Sequence, residues 1–470
     1  MRENVKFILG PILFFICIFM LPETVFETFS SRAAVGTVTW MASWWIIPPV
    51  DFAVTAFLPI AINAIVPMSD MSAVISNYAS ETILLLLGAS ILTVSWEETG
   101  LDKRIAARFL SFVGGNLRQQ LVFWFLLSAS LSAVLPNAVV CATITPIAVS
   151  MLRFIGEGNI STSHKGSLIL LAIVYAAGVG GLATPLGGAM NLVTVDYLQQ
   201  ITGQEYSYFS WVYRFFPIMI VLVLSNILYL IFCCNKQDDL GGSKQYYINT
   251  YKNLPSMLKC EKISLMLFVC ATLLSFIRPL YQKYIPGLKP AYIFVIAAIL
   301  SFFIKKENGE PLLKWKKAEK KIIWDLIYVF AGGFAVGTLI NNSGAANALG
   351  KYVASLGLTG GFLTVVIIII ITIALSNLTS NTATAAVAIP VVISIIQGVG
   401  LNPIPYIYIA SIGVNLSYMF PTSIRAIPVG YGLEPQYMLK HGIRLTIMAI
   451  ALMSLSAYVL LKYWPAFSTT

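Results

Sequence analysis

The chain has 470 residues, of which 58% are hydrophobic and only 11% are charged, and its formal net charge is +10. A soluble protein needs about a quarter of its residues charged to cover its surface, so most of this surface must face lipid. The basic balance does not indicate a nucleic-acid partner, because the lysines and arginines stand in short breaks between apolar segments.

Apolar segments that approach or exceed the roughly 20 residues of a bilayer crossing follow one another along the chain. They lie near residues 7–22, 35–67, 81–97, 119–152, 166–184, 211–234, 263–278, 288–304, 323–341, 362–397, 403–420 and 443–462. We predict an all-α polytopic membrane protein with about eleven transmembrane helices.

The N-terminal region, residues 1–36, has Arg2 and Lys6 before its first apolar segment. No small-residue cleavage site follows that segment, so we expect a retained helix rather than a signal peptide. Short basic stretches are typical of cytoplasmic loops, which places the N-terminus in the cytoplasm of a multi-pass protein of the cell membrane.

Two of the longest segments are interrupted by polar residues at matching positions. The stretch "LSAVLPNAVVCATITP" (131–146) aligns without gaps on "LSNLTSNTATAAVAIP" (375–390), at a shift of 376 − 132 = 244 residues. Asn137 aligns with Asn381, and Pro146 with Pro390. A single register held over roughly 60 residues indicates an internal repeat.

The repeat divides the chain into four regions. Repeat 1 spans 37–235 with a first re-entrant hairpin at about 119–150, and repeat 2 spans 263–470 with a second at about 362–397. A hydrophilic linker, 236–262, separates them. Paired interrupted segments are typical of secondary transporters built from two inverted repeats, with the substrate site at the repeat interface.

The chemistry of the interruption explains its place in an apolar background. A broken helix leaves N–H groups that are tolerated at membrane depth only inside protein or facing a water-filled cavity. These groups, with the positive end of the half-helix dipole, form an anion site. Ser380, Asn381 and Thr382 add neutral donors to it, so the cluster is suited to carboxylates. The alternative is that such residues serve only as interhelical hydrogen-bond partners.

The chain shows no motif for a cofactor. Its six cysteines have no C-x-x-C spacing, it has two histidines, and no G-x-x-x-x-G-K-[ST] occurs. We therefore predict no cofactor, no certain metal site, and no use of ATP through that motif.

These motifs resemble the divalent anion/sodium symporter family, the INDY-like di- and tricarboxylate transporters. The segment "TSNTATAAVAIPV" is similar to the family's second hairpin, and "GVGGLATPLGGAMNLV" (178–193) to its first unwound helix. The resemblance covers the chain from about Thr37 to the end. It implies an elevator-type carrier that binds a dicarboxylate, works as a homodimer in membrane lipid, and is not an enzyme.

The resemblance also implies roles for individual residues. It assigns to the substrate the two hairpin tips and part of the second unwound stretch: Pro136, Asn137, Ala138, Ser380, Asn381, Thr382, Thr422 and Ser423. It assigns to a cation, or to a replacement for one, the residues Ser132, Gly187, Asn191, Ser376 and Arg425. Thr184 belongs to the same first unwound stretch.

The sequence departs from the family pattern where sodium would bind. Pro136 and Ala138 stand in place of a serine and a threonine, and Arg425 stands in place of an asparagine. A guanidinium several ångströms from a sodium ion would repel it by on the order of several kcal/mol at intermediate dielectric. We therefore expect sodium-independent exchange of C4 and C5 dicarboxylates, such as succinate or 2-oxoglutarate, with tricarboxylates such as citrate as a further class.

Several alternatives stay open at this point. Arg425 can be a structural residue that snorkels to the interface or pairs with a carboxylate such as Glu434. A sodium-coupled dicarboxylate symporter of the same family is the second functional reading. An anion channel would need polar residues along whole helices, and an intramembrane enzyme would need a nucleophile motif or paired aspartates; neither pattern is present.

Overall fold

The structure is a computed structural model that describes residues 3–110, 114–234, 239–322, 324–345, 348, 360–421 and 423–469. These residues form helices and contain no β-strand. Thus the prediction of an all-helical chain is confirmed.

In the described residues before 235 the structure has twelve α-helices. They are α1 (Glu3–Met20), α2 (Phe29–Ile46), α3 (Phe52–Thr55), α4 (Leu58–Ile65), α5 (Met71–Ser76), α6 (Glu81–Thr99), α7 (Leu101–Leu110), α8 (Leu117–Ser132), α9 (Asn137–Phe154), α10 (His164–Gly180), α11 (Ala189–Thr202) and α12 (Tyr208–Phe232).

The described part of the chain after residue 238 contains a further set of α-helices. They are α13 (Ser243–Lys252), α14 (Lys259–Phe276), α15 (Arg278–Tyr281), α16 (Pro290–Ser301), α17 (Trp315–Ala318), α18 (Trp324–Asn342), α19 (Phe362–Leu378), α20 (Asn381–Gly398), α21 (Ile404–Asn415), α22 (Ala426–Gly430) and α23 (Pro435–Tyr463). Short 3-10 turns, among them Gly181–Ala183 and Ser423–Arg425, lie between some of them.

Six helical stretches of the described chain are long and apolar enough to cross a bilayer, and shorter apolar helices accompany them. The chain is therefore a multi-pass membrane protein. The six stretches include α9 and α20, each of 18 residues. At about 1.5 Å per residue, helices of this length allow either a crossing or the second arm of a hairpin. The number of about eleven crossings and the re-entrant assignment stay predictions.

Both interrupted segments form pairs of helices with a short break. The first pair is α8 and α9, and the second is α19 and α20. In each pair the last turn of the first arm carries a serine whose hydroxyl donates to a carbonyl of the next long helix. Ser132 donates to Ala177 and Ser376 to Val414, both at 2.6 Å. Equivalent bonds at equivalent positions are what an internal repeat predicts.

Glycine lets the arms approach their neighbours closely. A Cβ atom on Gly180 would lie 2.3 Å from the carbonyl oxygen of Ala129, and one on Gly413 would lie 1.9 Å from the Thr372 hydroxyl. Helix α8 therefore packs on α10 nearly backbone to backbone, and α19 packs closely on α21 through the Thr372 hydroxyl. Close packing of this kind holds each pair of arms against the helix that leads to the unwound stretch.

The segment predicted as a hydrophilic linker contains the helix α13. Tyr247 on this helix is buried, and its hydroxyl lies 3.3 Å from the Gln120 amide oxygen on α8. Gln120 in turn donates to the Ser243 hydroxyl at 3.1 Å. The described part of the linker is thus folded against the first pair of arms.

Candidate functional site

The second arm of the second pair begins with its own cap. The Ser380 hydroxyl accepts the backbone N–H of Ala383 at 3.1 Å, and the Thr379 hydroxyl pairs with that of Thr384 at 2.7 Å. A serine in extended conformation with this bond is a favourable N-cap, so α20 starts at the residue that follows. Ser-Asn-Thr is therefore a helix start inside an apolar segment.

Asn381 is the centre of a buried polar cluster at this helix start. Its side-chain oxygen lies 3.0 Å from the Ser376 hydroxyl and 2.9 Å from the Ser417 hydroxyl. Ser376 comes from the end of α19 and Ser417 from the unwound stretch after α21. The tip of the arms and the unwound stretch therefore share one hydrogen-bond network.

Arg425 lies next to this network and is 2% exposed. Its Nε donates to the carbonyl of Phe420 at 2.8 Å, and its Nη1 donates to the carbonyl of Ser417 at 3.1 Å and to the Ser417 hydroxyl. Burial excludes the reading in which this side chain snorkels to the interface. The guanidinium instead binds neutral oxygens of the unwound stretch.

Asn377 also holds the same unwound stretch in place through hydrogen bonds. Its side-chain oxygen accepts the backbone N–H groups of Tyr418 and Met419, at 2.9 and 2.8 Å. An unwound segment must have its backbone donors satisfied at membrane depth. One amide from α19 does so here, and it holds the carbonyls that bind Arg425.

The first half contains a matching arrangement around Asn191. The amide nitrogen of this residue donates to the carbonyls of Gly181 and Thr184, at 2.7 and 2.9 Å. The Thr184 hydroxyl donates to the Ala133 carbonyl in the first hairpin break, at 2.6 Å. The first unwound stretch is thus fixed both to the tip and to α11.

Gly187 fills the narrowest point of this half. A Cβ atom there would lie 2.5 Å from the carbonyl oxygens of both Gly181 and Ser132. No side chain fits between these two backbones without displacing them. The predicted residues Ser132, Gly187 and Asn191 are therefore neighbours.

The two halves meet through a pair of amides. Asn415, at the end of α21, donates to the side-chain oxygen of Asn191 at 3.0 Å. Farther along, the Cys141 thiol on α9 lies 3.6 Å from the carbonyl of Ile424. The unwound stretch that contains Arg425 therefore contacts α9 of the first pair, and the helix that precedes this stretch, α21, contacts Asn191 of the first half.

The remaining predicted residues are placed as follows. Pro136 is the N-cap of α9 and makes no side-chain cap bond, and Asn137 and Ala138 are the first residues of that helix. These three are partly buried, and no described contact joins them to Asn381. Thr382 is buried in the first turn of α20. Thr422 lies outside the described residues.

Ser423 opens the short turn Ser423–Arg425, of which only the backbone is described.

Three residues of the network were not predicted from the sequence: Asn377, Asn415 and Ser417. Each is a polar residue in an otherwise apolar run, which is the signal by which they could have been found. Their partners are 41, 224 and 36 residues away along the chain, so the contacts themselves are visible only in the fold.

Cavities lie along the second arms in the described part of the chain. One of about 640 Å³ follows α9 from Val139 to Ser150 and is also lined by Asp102, Lys103 and Thr250. Another of about 300 Å³ lies beside Pro390 on α20. A cavity therefore lies along each second arm, and the cavity beside α9 is lined in part by polar and charged residues.

A family model described as "Citrate transporter" matches residues 42–413, which is most of the chain. The chain belongs to the citrate transporter family. The family resemblance given by the motifs is thereby confirmed, and the chain is a transporter-family protein rather than an enzyme.

Relatives agree with this assignment. The sodium-dependent dicarboxylate transporter SdcS of Staphylococcus aureus strain NCTC 8325 / PS 47 is 27% identical over 447 residues, which cover 92% of this chain and 85% of the relative. The SdcS protein of strain COL gives the same values.

Solved structures show the same fold at low identity. The Alcanivorax borkumensis YdaH transporter has a TM-score of 0.55 and 12% identity, covering 84% of this chain and 88% of that one. Neisseria gonorrhoeae MtrF has a TM-score of 0.50 and 12% identity, with 83% of each chain covered. At this identity the likeness concerns the fold alone.

Proposed function

We propose that the protein carries C4 and C5 dicarboxylates across the cell membrane, with tricarboxylates as a further substrate class. The proposal is supported by the family, by relatives described as dicarboxylate transporters, and by the two helix starts. The first turn of α9 has no side-chain cap, and α20 presents Asn381 and Thr382 beyond its capping serine. Free N–H groups at a helix start favour bound carboxylates.

One observation carries the proposal that transport is independent of sodium. In both unwound stretches, backbone carbonyl oxygens accept hydrogen bonds from side-chain nitrogen. Asn191 binds the carbonyls of the first stretch and Arg425 those of the second. Carbonyl oxygens of broken helices are the groups that bind sodium in carriers of this type. In the second stretch the donor is itself a permanent cation, Arg425, which would repel a sodium ion at these carbonyls.

The same charge favours exchange over net uptake. A buried guanidinium and a nearby dianion attract each other by several kcal/mol at an effective dielectric of about 20. When the site is empty, this compensation is lost and the charge is costly to move through the membrane. The carrier then crosses readily only when loaded, and so exchanges one dicarboxylate for another.

A sodium-coupled symporter is the second candidate, favoured by the description of the SdcS relatives as sodium-dependent. The hydroxyls of Ser132 and Ser376 and the side-chain oxygen of Asn381 would be its ligands. In the structure both hydroxyls lie within hydrogen-bond distance of carbonyls of the next long helix. Binding sodium would require these contacts to rearrange.

The remaining parts of the proposal concern the whole carrier. We propose a homodimer in which a transport domain, containing both pairs of arms, moves as an elevator, with the N-terminus in the cytoplasm. The cavity along α9 reaches the first turn of that helix, at Val139, and so offers a path toward the first tip.

The test is radiolabelled succinate uptake into proteoliposomes, with and without internal succinate, in sodium and then in choline buffer. Exchange predicts uptake that requires internal succinate and is equal in the two buffers. Uptake into empty vesicles driven by a sodium gradient would establish the symporter instead. Absence of succinate and 2-oxoglutarate uptake under all conditions would overturn the dicarboxylate assignment.

A further inference from the structure

The hydrogen bonds around Ser417 follow one order: Arg425 donates to Ser417, and Ser417 donates to Asn381. This order determines how the Asn381 amide is oriented in the proposed substrate site. Arginine has only donors. Because Arg425 donates to the Ser417 hydroxyl, that hydroxyl must accept there and send its own proton elsewhere. Asn381 is its described acceptor, at 2.9 Å.

The direction fixes which end of the Asn381 amide faces inward. An acceptor toward Ser417 must be the amide oxygen, not the NH2 group. If the amide were turned over, the Ser417 oxygen would face two donors, the Arg425 guanidinium and the Asn381 NH2 group. The buried hydroxyl proton of Ser417 would then have no acceptor in the described structure. Ser417 is 7% exposed, so water offers little compensation. An unsatisfied buried donor is destabilising.

Ser376 by itself does not fix this orientation. Its hydroxyl lies 3.0 Å from the Asn381 oxygen and 2.6 Å from the carbonyl of Val414. With the amide turned over, Ser376 would donate to Val414 and accept from the amide. In the present orientation the single Ser376 proton has two acceptors, the Val414 carbonyl and the Asn381 oxygen, so Ser376 does not favour this orientation. The orientation is set by the bond between Ser417 and the guanidinium.

We propose that Ser417 is a positioning residue that transmits the donor character of Arg425 to Asn381, so that the Asn381 NH2 group faces the bound substrate. The tip of α20 then presents N–H donors and no acceptor from this side chain. Such a surface prefers a carboxylate, which offers two acceptor oxygens, to a carboxamide of the same shape, which offers one. The inference rests on the proposed function for the identity of its ligand.

The relay, meaning the hydrogen bonds that join Arg425, Ser417 and Asn381, is tested first without any substrate. Melting temperatures are measured in detergent for the wild type, Ser417→Ala, Asn381→Ala and the double variant. A shared hydrogen bond predicts that Asn381→Ala lowers the melting temperature by less than half as much in the Ser417→Ala background. Additive shifts would overturn the relay whatever the substrate proves to be.

The second measurement is the ratio of dissociation constants for succinate and its half-amide, succinamate. We expect Ser417→Ala to reduce the wild-type preference for succinate by about tenfold, because the amide can then turn over. Ser417→Thr keeps the hydroxyl and should stay within about twofold of the wild type. An unchanged ratio in Ser417→Ala would overturn the proposal.

Controls separate this role from general stability. Ser394→Ala removes an equally buried hydroxyl from α20 that bonds to the Pro390 carbonyl at 2.7 Å, away from the tip, and should leave the ratio unchanged. If Ser417→Ala does not fold, Ser417→Cys, with its weak donor, replaces it in both measurements. If the wild type binds neither compound, the dicarboxylate proposal fails, and the melting temperatures still decide the relay.

Discussion

The guanidinium of Arg425 and the amide of Asn381 are separated by a single hydroxyl, that of Ser417. A permanent positive charge in the protein interior is costly unless its donors are satisfied and an anion is near. The described carbonyls satisfy donors of Arg425, and we expect the substrate dianion to supply the charge. Under the proposed function, the charge of Arg425 is therefore compensated only when the substrate is bound.

Replacing Asn381 by alanine removes the donors that we propose to face the substrate. A hydrogen bond to a charged group contributes about 1.5–3 kcal/mol, which corresponds to roughly ten- to hundredfold in affinity. We expect exchange of labelled succinate at low concentration to fall to background while the variant elutes as a folded carrier in size-exclusion chromatography. Near-normal transport would show that Asn381 does not contact the substrate.

Replacing Arg425 by asparagine restores the residue type that the family pattern has there. Without the charge, the empty site is no longer costly, and the dianion loses its compensating partner. We expect exchange in choline buffer to fall about a hundredfold, which is of the order of the loss of a buried charge pair. Exchange should recover in part in sodium buffer.

The matched control is Arg444→Asn, an exposed arginine on α23, which should behave as the wild type. Full exchange activity of Arg425→Asn in choline would show that this guanidinium is only a structural part of the unwound stretch.

At the scale of the elements, the sequence allowed both helix breaks to be predicted because their causes are local. Pro136 has no N–H, and Ser380 is a capping residue, so each break follows from residue type. The helix α13 was not predicted, because its sequence is hydrophilic and its burial comes from Gln120 and its neighbours on α8. Contacts of Asn377 and Ser417 were missed for the same reason: their partners come from other elements.

The contact between the first break and the first unwound stretch depends on a glycine. A Cβ atom on Gly187 would lie 2.5 Å from two backbone oxygens, so Gly187→Ala must separate these elements or strain them. Overpacking of this kind costs about 1–3 kcal/mol. We expect a lower melting temperature and a loss of exchange.

Gly178→Ala is the matched control for this substitution. It lies inside α10, and a Cβ atom there would meet nothing within 4 Å. Alanine in a helix interior is favoured over glycine by about 0.5–1 kcal/mol, so this variant should be as stable as the wild type or more so. Equal effects of the two substitutions would argue against a special contact at Gly187.

For the whole molecule, ion pairs bring three of the basic breaks of the sequence together. Arg104 pairs with Glu261 at 3.0 Å, and Lys321 pairs with Glu97 at 3.2 Å. The backbone N–H of Lys259 donates to Glu307 at 3.0 Å. The breaks near residues 97–104, 255–262 and 305–321 therefore share one face of the protein. Loops rich in lysine and arginine lie on the cytoplasmic side, so this face is predicted to be the cytoplasmic one.

This orientation can be tested with two single cysteines in a background lacking the native ones. Lys316 lies on the basic face, and Lys283 lies in the loop between α15 and α16; both are exposed. If the pair α14 and α16 crosses the membrane, Lys283→Cys reacts with an impermeant maleimide in intact cells, and Lys316→Cys reacts only in inverted vesicles. The experiment decides the crossing, because α16 has 12 residues and spans only about 18 Å of a hydrocarbon core that is about 30 Å thick. Labelling of both positions from the same side would show that the pair does not cross, and would remove two crossings from the predicted eleven.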